Sequence, residues 1–421
     1  LRTLFLNRSY HPDVEATGQL LTELCSDLAR RHEVSVIAGR PNFVAGNSTL
    51  PRRETHRGVR VVRVRNFRFN KTGMAGRAAG LASYLLLAFW AALWQRRPDA
   101  LVVETDPPAL GALGALLKWR HGCPMVFYLQ DLFPEVGLAL GKLRPGPLTA
   151  LLRWLTNVGL RHADAIVVLG EDMKRRVVER GIPAERVAVV PNWADTRALR
   201  PAAGPNLFRA DWGLDDRFVV MYSGNLGLSQ GLDGVVEAAA VLKDEHVTFL
   251  FVGEGAAKPA LVARATARGL NNIRFLPYQP KARLGESLAA ADLHLIPMRH
   301  GLAGCMVPSK LYGILAVGRP YVAAVDVKSE VAAVTETYST GLRIEPESPA
   351  ALVQSIRWCM ANRSEARAMG ERGQKVAETH FDRARCVALF EEVLMSLPPR
   401  GPGPSDVADD VKASQHAASG C

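Results

Sequence analysis

Val307–Pro320, VPSKLYGILAVGRP, places a proline, a hydroxyl and a lysine at the start of a short helical run. The first turn of a helix exposes unpaired N–H groups and partial positive charge, which suits a phosphate. Pro308 lacks a donor that the first turn leaves unused in any case. Ser309 and Lys310 add a hydroxyl and a compact cation, and Arg299, in the preceding loop, adds five more donors. On this reading Met306, Val307, Pro308 and Ser309 line a diphosphate site, with Lys310 and Arg299 balancing its charge. The same residue types also occur in plain strand-to-helix turns, where Ser309 and Lys310 would be solvated.

Other candidate groups fall at the ends of apolar strands. In YSGNLGLSQG (Tyr222–Gly231), Gly224, Asn225, Leu226 and Gly227 permit tight turns and close backbone approach to a ligand. The stretch matches neither a Walker loop nor a GxGxxG fingerprint. Thr17-Gly18-Gln19 takes the corresponding place after the first strand, so that two glycine-bearing loops would face one cleft. Gly253 and Glu254 close the next strand, and Tyr278 could offer a ring to a base. Asp131, in QDLFPE, would orient a hydroxyl or assist proton transfer, or else cap a turn. Glu104, Thr105 and Asp106 form a second polar cluster with the same ambiguity. Glu330 would cap the helix it starts or reach a sugar or ribose hydroxyl. No histidine pair, HExxH or cysteine cluster suggests a catalytic metal, and no cofactor is expected.

The elements that must position these groups alternate. In the first half TLFLN, EVSVIAG, VRVVRVRN, Ala100–Val103, PMVFYL, AIVVL and VAVV read as strands, with helices between them. FVVMYSG, VTFLFVG, IRFLP, LHLIP and YVAAV repeat the grammar. Short apolar strands separated by helices imply an α/β fold of two doubly wound parallel sheets. Residues 1–200 and 201–380 are the expected domains, joined through the Pro- and Ala-rich stretch 192–217; residues 381–397 form a last helix expected to return to the first domain. Ligands of such folds bind at the carboxyl ends of the strands. The tail 398–421 lacks apolar periodicity and reads as disordered.

The 421 residues are 48% hydrophobic, enough for two cores, and carry a net charge of +11. That balance suits nucleotide phosphates or anionic lipid headgroups. Nucleic acid is disfavoured, since zinc-ligand spacing, RNA-binding aromatics and a dense basic helix are all missing. The six cysteines lack motif spacing, which fits a reducing, cytoplasmic setting, and LRTLFLN reads as a first strand rather than a leader. Ala78–Trp94 carries no charge and is flanked by Lys71, Arg77, Arg96 and Arg97. Either it packs on the sheet, or it lies in a membrane interface with Trp90 and Trp94 at headgroup level; it is slightly short to span a bilayer.

The ordered series PDVEATGQ, QDLFPE, VVPNWADTRAL, YSGNLGLSQGLD, FVGEG, IRFLPYQP, AAADLHLIP, VPSKLYGILAVGRP and SEVA resembles retaining glycosyltransferase family 4. The similarity is greatest to the exopolysaccharide, O-antigen and colanic-acid branch. The resemblance implies the GT-B fold and a hexosyltransferase-type enzyme that moves a sugar from a UDP or GDP donor with retention at the anomeric carbon. It implies a polyprenyl-diphosphate-linked or other saccharide acceptor, and a peripheral place on the inner face of the cytoplasmic membrane. It assigns Gly18 and the second-domain loops to the donor, and Thr17, Gln19 and Gln130 to the acceptor.

Departures accompany the resemblance. Two glutamates of the family pattern, which would meet the donor sugar and the ribose, are replaced by Cys305 and Gly313. Gln230 stands at the place of a lysine, Leu228 near that of an arginine, and Gln130 at that of an acceptor-side histidine. Lys310 and Arg299 are the cations left for the diphosphate. A non-catalytic GT-B partner protein and a nucleotide-sugar epimerase are the alternatives.

Overall fold

The computed structural model describes residues 1–13, 15–40, 50–67, 74–201 and 204–399. Residues 400–421, most of the tail read as disordered, lie outside the described residues. Two sheets organise the chain. The first contains β1 (Arg2–Leu6), β2 (Glu33–Ala38), β3 (Arg53–His56), β4 (Val59–Arg63), β5 (Ala100–Glu104), β6 (Met125–Tyr128), β7 (Ala165–Val168) and β8 (Val187–Val189), in the order β3-β4-β2-β1-β5-β6-β7-β8. The second contains β9 (Phe218–Ser223), β10 (Val247–Val252), β11 (Ile273–Leu276), β12 (Leu293–Pro297), β13 (Tyr321–Ala324) and β14 (Leu342–Ile344), in the order β11-β10-β9-β12-β13-β14. Every pairing is parallel except β3 with β4. Parallel strands covered on both faces must be apolar throughout. All of ALVVE in β5 and VTFLFV in β10 is accordingly buried.

This order sets where a ligand can sit. The chain leaves β1 toward β2 on one side and comes back to β5 on the other; β9 likewise lies between β10 and β12. Such switch points open a crevice beyond the strand ends. The segments after β1, β5, β9 and β12 converge there, and they hold residues 7–13, 15–19, 105–106, 224–231 and 298–310.

The first sheet's helices are α1 (Ala16–Leu28), α2 (Met74–Leu93), α3 (Leu110–His121), α4 (Glu135–Ala139), α5 (Pro147–His162) and α6 (Glu171–Val178). The last helix, Arg383–Met395, lies against α1. Its Phe390 ring meets Phe5 and Tyr128 at centroid distances of 6.3 and 5.1 Å, and Arg383 donates to Asp27 at 2.7 Å. Ala194 N–H donates to the Phe381 carbonyl, and Arg383 N–H to the Ala194 carbonyl, both at 3.0 Å, which anchors the crossing.

Three elements depart from the sequence reading. β3 is a polar edge strand, RETH, with no buried residue. β14 has three residues, and the helix Leu207–Asp211 sits inside the stretch read as a linker. Among the described residues no helix is long and apolar enough to cross a membrane. The five described cysteines are free and buried.

Phe390 is fully buried between the last helix and the first sheet. Phe390→Ala leaves a cavity there and is expected to lower stability by about 3–5 kcal/mol, read from the urea midpoint at unchanged m-value. A change below about 1 kcal/mol would show that the last helix is not part of the cooperative core.

Candidate active site

Lys310 begins the helix Lys310–Ala316 and turns back toward the end of β9. Its Nζ donates to Tyr222 Oη at 3.1 Å and stands 4.5 Å from the centre of that ring. Tyr222 Oη in turn donates to the Asn225 carbonyl at 2.6 Å. Burial alone pushes the Lys310 ammonium down to about 8, and it has no carboxylate partner among the described residues. Lys310 is half-buried, and a partly desolvated cation without a counter-charge is costly, although the face of Tyr222 offsets part of that cost.

The glycine-bearing loops close over this lysine. A Cβ on Gly224 would stand 3.4 Å from Lys310 Cε. Gly253 has φ +146°, and a Cβ there would lie 2.0 Å from the Gly224 carbonyl oxygen; one on Gly255 would lie 2.4 Å from that of Leu226. Only glycine allows this contact of two backbones. Gly224 N–H donates to the Val252 carbonyl and Leu226 N–H to that of Glu254, both at 2.9 Å. Tyr278 Oη reaches the Glu254 carbonyl at 3.4 Å, and its ring flanks Gly253. Gly224, Asn225, Leu226, Gly227, Gly253, Tyr278 and Lys310 are thereby brought together. Val307 and Pro308 are buried just before the helix, and the Ser309 side chain makes no capping bond.

Other residues have different partners. The Arg299 guanidinium faces Asp233 at 3.8 Å and Glu347 at 3.9 Å, and its main-chain N–H donates to Ser229. The Glu254 carboxylate is held by Lys258 at 2.6 Å. Met306 pairs with Asp131 in an antiparallel bridge, next to a Leu132 N–H bond to the Cys305 carbonyl at 2.7 Å. The Met306 backbone is therefore committed to the other domain. Glu330 is also placed elsewhere than expected. Its Oε2 accepts from Glu171 N–H at 2.9 Å, at the start of α6, while Ser329 caps the helix that Glu330 begins. Burial, then the neighbouring Asp172, pushes the Glu330 carboxyl up to about 6. Cys305 is buried, and Gly313 faces Leu288, so neither puts a polar group where the family pattern has a glutamate.

Across the crevice, Asp131 ends the segment after β6. Its main-chain N–H and that of Gln130 both point to Thr105 Oγ1 at 3.3 Å. The Asp131 carboxylate has no hydrogen-bond partner among the described residues; burial, then Asp106, pushes it up to about 6. Gln130 is buried beside it. Thr17, Gly18 and Gln19 lie in the first turn of α1, not in a loop. Gly18 is there for packing: a Cβ would meet Ser9 at 3.2 Å.

Two arrangements escape sequence reasoning. Arg8 pairs with Asp106 at 2.8 Å across 98 residues. Asp172 Oδ2 accepts from Gly304 N–H at 2.8 Å and Glu330 N–H at 2.9 Å, tying α6 to the second domain. An acid at the start of a helix usually serves that helix, so nothing local marks Asp172 as a link between domains.

Residues 16–193 match the family model of the glycosyl transferase 4-like domain, and residues 206–376 that of the glycosyl transferases group 1. The chain is 31% identical over 373 residues to WcaI of Escherichia coli K12, named as a colanic acid biosynthesis glycosyl transferase, covering 85% of this chain and 91% of that protein. The chain is a GT-B glycosyltransferase. Solved glycosyltransferases share its fold. HepE from Anabaena, determined with UDP and glucose, superposes with a TM-score of 0.72 at 19% identity, covering 94% of this chain and 100% of that one. Sucrose-phosphate synthase from Thermosynechococcus elongatus superposes with a TM-score of 0.77 at 15% identity, covering 94% and 98%. In this glycosyltransferase the crevice between the two sheets is thus the candidate active site, with Lys310 on one wall and Asp131 on the other.

Proposed function

We propose that this glycosyltransferase moves a hexose from a UDP or GDP donor, with retention, to a lipid-linked saccharide acceptor in cell-surface polysaccharide biosynthesis. The observation that carries the donor side is the uncompensated ammonium of Lys310 beneath the Gly224 loop. A diphosphate is the anion that such a site supports. It would neutralise Lys310, and Ser309 and the backbone around Pro308 would add donors. As the sugar leaves, negative charge grows on the diphosphate, and a preorganised cation out of water stabilises it strongly. Arg299 adds a second, partly neutralised cation, and the ring of Tyr278, beside Gly253, would stack on the base.

Asp131 serves the acceptor. Once ionised, its carboxylate orients the attacking hydroxyl, while the leaving phosphate takes the proton on the same face of the sugar. No covalent nucleophile is then required. Thr17, Gln19 and Gln130 line the acceptor side. The similarity to the colanic acid transferase supports the polysaccharide assignment.

Nucleotide release from a panel of UDP- and GDP-sugars, with a polyprenyl-diphosphate-linked acceptor present, tests the reading. Lys310→Ala is expected to lower kcat by about 10²–10³; near-normal turnover would remove Lys310 from the mechanism. The pH profile follows from the two groups. Asp131 must be ionised and its carboxyl is pushed up to about 6; Lys310 must be protonated and its ammonium is pushed down to about 8. kcat/KM should therefore rise through about pH 6 and fall through about pH 8, and Asp131→Asn should abolish the acid limb. A flat profile, or an acid limb that persists in Asp131→Asn, contradicts these roles.

A further inference from the structure

Helices α2, α3 and α5 cover one face of the first sheet and are apolar on their outer sides as well. Along α2, Tyr84, Ala88 and Ala92 are buried, while Leu86 and Trp90 are exposed, and Trp94 continues the same stripe just past the helix end. On α3 the exposed positions include Leu116 and Trp119, and on α5 Leu148, Leu151 and Trp154. Trp94 and Trp119 are 82% and 83% exposed. A helix apolar all round is normally enclosed, and a contiguous bare apolar face marks an interaction site. Between α3 and α5 the surface opens into a cavity of about 930 Å³, walled by Leu116, Trp119, Trp154 and Val158 and bordered by Pro398 and Pro399. The helices cross tightly beneath it, since a Cβ on Gly159 would lie 2.8 Å from Gly111 Cα.

The charge of this face points to its partner. Helices α2, α3 and α5 contain no aspartate or glutamate, and Asp164, at the cavity wall, is neutralised by Lys118 at 2.7 Å. Arg96, Arg120, Arg161 and His162 are exposed on or beside them. A second copy of the chain would bring these basic groups against one another. Tryptophans with an apolar body and a polar N–H, next to arginines, match the boundary between acyl chains and headgroups.

We propose that the α2–α3–α5 face docks on an anionic lipid bilayer, with its tryptophans at headgroup level and the α3–α5 cavity taking one hydrocarbon chain of a bilayer lipid. The surface extends the lipid-linked-acceptor reading but rests on different residues. It makes this a monotopic attachment by three helices of a folded domain, rather than by the single segment 78–94.

The test is co-sedimentation of the full chain with vesicles of phosphatidylethanolamine and phosphatidylglycerol, against vesicles of phosphatidylcholine. Wild type should partition onto the anionic vesicles, and its tryptophan emission should be quenched by brominated acyl chains. The pair Trp119→Glu and Trp154→Glu should lower partitioning by at least about tenfold, and Arg120→Glu with Arg161→Glu should weaken it on anionic vesicles. Donor hydrolysis in vesicle-free solution should be unchanged in both, which shows that the variants are folded. The proposal fails if wild type stays in the supernatant, if brominated chains do not quench it, or if the tryptophan pair binds like wild type. It also fails if these residues instead support concentration-dependent self-association without vesicles. Loss of vesicle binding with intact turnover, and loss of turnover with intact binding, separate this surface from the transfer reading.

Discussion

A half-buried lysine, partly desolvated and set on the face of a tyrosine with no acid to answer it among the described residues, governs the second domain's half of the crevice. Two lengths of chain 88 residues apart must meet for Lys310 to bond Tyr222. The sheet order achieves this, because β9 and β12 are neighbours and their following loops share one switch point. The glycine-bearing loops frame that contact. Tyr222 is fixed by Asn225, the Gly224 loop is fixed by the strand-end loop of β10, and Gly253 lets the two backbones touch. A site of this kind favours an anion, because a negative group beside Lys310 offsets the desolvation that its ammonium bears.

The second constraint is the way the domains are held. Asp172 accepts two amides from the second domain, Glu330 accepts one from the first, and residues 131–132 pair with 305–306. Asp131 is thus set by the same bridge that positions the loop leading to Lys310. The backbone bridge between Asp131 and Met306 is reinforced by the side chains of Asp172 and Glu330 and by the Lys281–Glu23 ion pair. The last helix adds a third tie, threading Phe390 into the core of the first domain. Cys305, at a place where the family pattern has a glutamate, is buried in this junction.

Much of the fold was legible from periodicity. Apolar runs such as VTFLFV and LHLIP have one interpretation in a parallel sheet, and the longer helices between them follow from the alternation, whereas the short helices Glu135–Ala139 and Leu207–Asp211 do not. β3 was not, because an edge strand reading RETH has no buried face to pattern it, and β14 is too short to register. The site was partly legible. Lys310 and the glycine-bearing loops after β9 and β10 were visible as residues of suitable type at strand ends. Tyr222 as the seat of Lys310, Arg8 with Asp106, and Asp172 as a link between domains were not, since each depends on partners far away in the chain. Glu330 shows the limit from the other side: a carboxylate at a helix start could equally serve a ligand or a backbone amide, and only tertiary structure decides.

The protonation of Lys310 tests the donor site most directly. With 15N-labelled lysine, the Nζ signal can be titrated without ligand and with saturating UDP or GDP. The free protein should titrate near pH 8, and the nucleotide should move that value upward by a unit or more as the diphosphate supplies the missing counter-charge. A Lys310 that titrates at the same pH while nucleotide is bound would contradict a diphosphate at this position.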